Sequence, residues 1–122
     1  MVRASLLSLA LGAAPQPAVA QEAANADQRA FSVAANTFAG CLRAAVELGM
    51  RVRMQPETFE AEFANVCLPQ EAAFRDAALR VAVAGGQSSE RARQEINDNI
   101  ANGRRIFAAD QATYFRTGKV PR

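Results

Sequence analysis

Residues 31–52, FSVAANTFAGCLRAAVELGMRV, decide the fold. Phe31, Ala35, Phe38, Leu42, Ala45, Gly49 and Val52 recur at alternating steps of four and three, and Ala34, Cys41 and Leu48 lie beside them. That spacing puts one apolar stripe along an α-helix, and no stretch of it alternates with the period of a strand. The helix is predicted from about Asp27 to Arg53. Pro56 forbids helical backbone at the residue before it, and Gly49 offers an earlier stop.

Downstream the same period returns. Pro56 suits a first helical turn, and Glu57 and Glu60 complement the helix dipole there. Phe59, Phe63, Val66 and Cys67 make the apolar face, and Pro69 bends or restarts the chain. Phe74, Ala77, Ala78 and Val81 continue the pattern to Ala84. Gly85-Gly86 stops it, and Ser88 or Ser89 followed by Glu90 restarts it. Ala92, Ile96, Ile100, Gly103 and Phe107 form the stripe of a last helix that reaches residue 117. Asn102-Gly103 could turn the chain, or the glycine could serve a close helix crossing; the stripe keeps phase through it, so one continuous helix is expected.

Units 27–53, 56–84 and 89–117 are similar in length and joined by short turns. The predicted fold is all-α: a small antiparallel bundle of three to four helices over residues 27–118, its middle arm bent at Pro69. Residues 21–26 are expected to be flexible and residues 119–122 to form a C-terminal tail.

Upstream, Arg3 is followed by an uncharged apolar run from Ala4 to Ala14, then Pro15, Pro17 and Ala18-Val19-Ala20. This is the order of a Sec-type signal peptide over residues 1–20 with cleavage after Ala20. An apolar run of eleven residues falls short of the roughly 20 needed to cross a bilayer, and no later stretch is apolar enough. The expected location is the periplasm or the exterior. The Arg- and Ala-rich composition fits a bacterial, GC-rich origin.

After Ala20 the chain carries 13 basic and 12 acidic residues, so it lacks the basic excess of a general nucleic-acid binder. It contains no His and no Trp. That removes the usual general base, the His-assisted nucleophile pairs and every imidazole metal site. No catalytic residue, metal or cofactor is assigned, and a non-enzymatic role is expected.

Export permits a disulfide, and two cysteines allow one pairing. Cys41 lies 12 residues before the latest end of helix one, and Cys67 lies 11 after Pro56. At ~1.5 Å per residue both sit about 17 Å from the shared turn, on apolar faces expected to meet. The bond Cys41–Cys67 would contribute about 3 kcal/mol by restricting the unfolded chain. A redox pair would favour C-x-x-C spacing, and a metal site would need two more ligands.

Charge is unevenly spread. Glu57, Glu60, Glu62, Glu71 and Asp76 dominate residues 56–76, whereas Arg104, Arg105, Arg116, Lys119 and Arg122 dominate the C-terminal third. Glu57, Glu60 and Glu62 read first as dipole-complementing acids and only second as a carboxylate or cation site. The opposed charges read either as faces that attract within the bundle or as an anion-facing end. Tyr114-Phe115-Arg116 places two aromatics about 100° apart on a helix, so both cannot face one core. Arg104, Arg105, Tyr114, Phe115 and Arg116 form the candidate binding surface, with the arginines expected to share a face and to be dispensable for folding. The leading expectation is a binding or self-associating module for an unknown macromolecular partner. The alternative is a carrier for a small apolar ligand between the helices, permitted by small residues such as Ala34, Ala35, Ala45, Ala77, Ala78 and Gly103.

Overall fold

The computed structural model describes residues 17–121. Most of the expected signal peptide, residues 1–16, and Arg122 of the expected tail lie outside the described residues. Four helices follow in order: α1 (Ala18–Arg51), α2 (Pro56–Phe63), α3 (Leu68–Ala84) and α4 (Ser89–Thr117). Among the described residues there is no strand, and no helix is long and apolar enough to cross a membrane.

The predicted stripes supply much of the core. On α1, however, Val46 and Met50 are buried while Leu48 and Val52, placed beside and in the stripe, are exposed; the helix ends at Arg51 and Val52 falls beyond it. Phe38, Leu42, Val46 and Met50 of α1 meet Phe59, Phe63, Ala78, Ala92, Ile96 and Ile100 from the other three helices. The bundle is antiparallel. Going up α1 means going down α3, as the pairs Cys41–Cys67, Phe38–Phe74 and Asp27–Arg80 show. α2 and α3 lie end to end along α4, where Met54, Phe63 and Arg75 meet Gln111, Arg104 and Asn97 in turn. α1 packs chiefly on α3, and α2 packs on α4.

Three expectations need correction. The segment 21–26, expected to be flexible, is helical and exposed, because α1 begins at Ala18. Alanine is the best helix former, and nothing between Pro17 and Arg51 breaks the ladder. The bend of the middle arm falls at residues 64–67 rather than at Pro69. Cys67 takes left-handed backbone, φ 62°, and Pro69 occupies the first turn of α3, where its missing N–H costs nothing. Finally, Gly49 does not stop α1. It is buried two residues before the end, where an added Cβ would fall 2.5 Å from the Phe59 ring. Arg53, at φ 52°, turns the chain instead, with Met54 N–H donating to the Gly49 carbonyl and Arg53 N–H to that of Met50.

The last helix is continuous through Asn102-Gly103. A Cβ on Gly103 would meet nothing within 4 Å, so this glycine serves no close crossing. Ser88 caps α4 by accepting from the Arg91 N–H at 3.3 Å, and Gly118 closes it in left-handed conformation. Cys41 and Cys67 are joined by a disulfide with Cα atoms 6.0 Å apart. The bond ties α1 to the α2–α3 corner, so its partner element is the start of α3 rather than a long second helix beside α1.

Candidate binding surface

The five residues singled out at the C-terminal end of the sequence divide between core and surface. All stand on α4, and Arg104 points inward. Its Nε donates to Glu71 Oε1 at 2.9 Å, and its two terminal nitrogens donate to the Phe63 and Val66 carbonyls at 2.8 Å each. The guanidinium carbon also lies 5.6 Å from the ring centres of both Phe38 and Phe63. With its side chain only 13% exposed, Arg104 belongs to the fold rather than to the surface. The expected shared face of three arginines therefore loses one member. Adjacent helical residues diverge by about 100°, and Arg104 took the inward position.

Arg105 and Arg116 are exposed, and eleven residues between them is close to three turns, so these two share a side of α4. Tyr114 and Phe115 are half-buried. Tyr114 packs against the hydrophobic core. Phe115 follows Ala108 by seven residues and so shares its side of the helix.

Ala108 lines a surface groove of about 510 Å³ between α2 and α4. Its α4 wall is Ala101, Arg104, Arg105, Ala108, Ala109 and Ala112; Pro56 and Glu60 of α2, with Ala64 just past its end, line the other side. The alanines make a shallow apolar floor, with Arg105 on one side and Glu60 on the other. These two charges form no ion pair with each other, and among the described residues neither Glu57, Glu60, Arg105 nor Arg116 has an ion-pair partner. Of Arg104, Arg105, Arg116 and Lys119, Arg104 alone is paired with an acid among the described residues, and that acid is Glu71 of α3. Direct contact between the acidic and the basic region is made by this pair among the described residues.

The alanine wall was absent from the candidate residues read from the sequence, and Glu60 was read there as a dipole-complementing acid or, second, a carboxylate site rather than as part of a binding surface. The signal was present. Ala101, Arg105, Ala108 and Ala112 repeat at steps of four, three and four, a second stripe displaced from the buried one on the same helix.

Two other concave regions bear on the carrier alternative. A groove of about 580 Å³ between α1 and α3 is lined by Ala30, Val33, Ala34, Ala73 and Ala77, with Arg29 and Arg80 beside it. A smaller cavity of about 70 Å³ lies beside Gly49, Met54 and Phe59. It has the volume of roughly two waters and is far below that of a drug-sized ligand site. Ala77 and Ala78, expected as possible cavity walls, are both buried, and Ala77 borders the α1–α3 groove.

Among the described residues no three His, Cys, Asp or Glu side chains gather closely enough to hold a metal ion. No family model matches the chain, and neither a curated protein nor a solved structure matches it.

Proposed function

We propose that this chain is a non-enzymatic helical module, working outside the cytoplasm, that binds a macromolecule through the α2–α4 face. One observation carries the reading: an alanine-floored groove bears unpaired opposite charges on its two walls, and half-buried Phe115 lies further along its α4 side. Small side chains let a partner's backbone come close, and unpaired rim charges give it orientation and speed of encounter. An aromatic beside arginines is the composition in which binding energy concentrates.

Export is part of the same proposal. The N-terminal order of Arg3, apolar run and Ala-Val-Ala supports it, and the disulfide is compatible with an oxidising compartment. Intact-mass measurement on protein expressed from the full sequence should find a chain starting at Gln21; a retained Met1 in the cytoplasm would refute export.

The carrier reading has weaker support, since the four larger concave regions are open surface grooves and the cavity beside Gly49 is small. Site-specific photo-cross-linking in living cells tests the binding reading. A photoreactive residue at Ala108 or Ala112 should give adducts of discrete mass, and one at exposed Val83 on α3 should not. Absence of any adduct from the groove positions, with the protein folded and abundant, would remove the proposal.

A further inference from the structure

We infer that the partner of the α2–α4 face is a second copy of this chain, related to the first by a two-fold axis parallel to the helices. The inference rests on the binding reading above and names its partner. Glu60 on α2 and Arg105 on α4 line the same stretch of one groove, so they stand at the same height along the bundle. A two-fold axis running along the helices keeps every residue at its height and exchanges the two walls. It therefore lays α4 of one copy over α2 of the other, and sets Arg105 opposite Glu60 twice over. Self-complementary contact of this kind is the usual geometry of homodimers.

The charge layout also selects between the two simple face-to-face arrangements. An axis lying across the helices would instead pair α4 with α4 and α2 with α2, bringing Arg105 towards its own copy and Glu60 towards its own. Like charges placed together at an interface cost several kcal/mol, so that arrangement is disfavoured. The alanine floor fits the favoured one, because the four helices α2, α4 and their copies can then close as a four-helix layer. Within one chain neither Glu60 nor Arg105 has an ion-pair partner among the described residues, which leaves both free to meet the second copy's.

Sedimentation analysis of the mature, oxidised chain over a range of concentrations tests this, together with Glu60→Arg and Arg105→Glu. Wild type should show a two-copy species that weakens as salt rises. Each reversal alone places like charges opposite each other twice and should weaken association more than about tenfold. Mixing the two variants in equal amounts restores opposite charges at both contacts and should recover a two-copy species containing one of each. Unchanged thermal melts of the single variants show that folding is not the cause. A wild type that stays single at every concentration, or a mixture no stronger than its components, overturns the inference. The two failures are distinguishable: if Ala112 cross-links to an adduct of another mass while the chain stays single, the groove still binds but not to itself. If Ala112 gives no adduct, both readings fall.

Discussion

Arg104 and Glu71, 33 residues apart in sequence, hold each other at 2.9 Å across the junction of α2, α3 and α4. Both side chains are mostly buried, at 13% and 15% exposure. The arginine's other two donors close carbonyls at the C-terminal end of α2 and in the corner that follows. Helix ends leave such carbonyls without intrahelical partners, so Arg104 acts as a cap supplied by another helix. Arg104→Ala should therefore cost about 3 kcal/mol, the scale of breaking a buried pair from one side. Arg104→Lys should recover only part of that, because an ammonium lacks the guanidinium's fork. Arg105→Ala, one residue on but exposed, should stay within about 0.5 kcal/mol. Urea midpoints of the three variants check the order.

Reduction of Cys41–Cys67 should lower stability by about 3 kcal/mol, because the bond closes a loop of 26 residues in the unfolded chain. Mass spectrometry without reductant should show the loss of two hydrogens. Denaturation with and without reductant should give the stability difference; free thiols reacting in the native protein would refute the bond.

Two glycines inside helices should respond oppositely to alanine. Gly49→Ala drives a methyl into the Phe59 ring and should destabilise by about 1–3 kcal/mol. Gly103→Ala meets open space and should stabilise by about 0.5–1 kcal/mol through helix propensity. Thermal melts of the two variants should move in opposite directions.

Glu95 has its carboxyl pKa lowered, first by the Gln87 side-chain hydrogen bond and then by Arg91. A lowered folded value means the contact stabilises at pH above the ordinary carboxylate range, and that its contribution disappears as pH falls through the lowered value. A carboxyl NMR titration should show Glu95 below the exposed glutamates, and Gln87→Ala should raise it towards them.

Much of the bundle was legible in the spacing. The buried faces of α1 and α4 are the stripes that Phe38, Leu42, Ile96 and Ile100 announce, and two cysteines allow one pairing. Equal heights for the two cysteines assumed a long second helix beside α1, whereas α2 packs on α4 and Cys67 sits at the start of α3. The glycine roles were not legible. Gly49 looked like a stop and is a contact; Gly103 looked like a stop or a crossing and is neither. A glycine's neighbours across the fold decide which, and those neighbours have no sequence signature. The bend was misplaced at Pro69 for a related reason. A proline in a first helical turn is tolerated, so its presence does not locate the break within a few residues.

What the sequence by itself determined is the class and order of elements. Apolar period, proline and glycine punctuation, and the count of cysteines are local or pairwise properties, and they act on the chain before it packs. What only the tertiary structure decided is which of two adjacent arginines is structural and which is free. Arg104 and Arg105 have the same chemistry and stand side by side in the sequence. A difference of about 100° around α4 turns one onto the α2–α3 corner, where a carboxylate and the carbonyls of Phe63 and Val66 await it. The same rotation leaves the other on the rim of an alanine groove facing an acid it does not reach. Helical phase relative to a packed neighbour sets that outcome, and the neighbour is known only once the chain has folded.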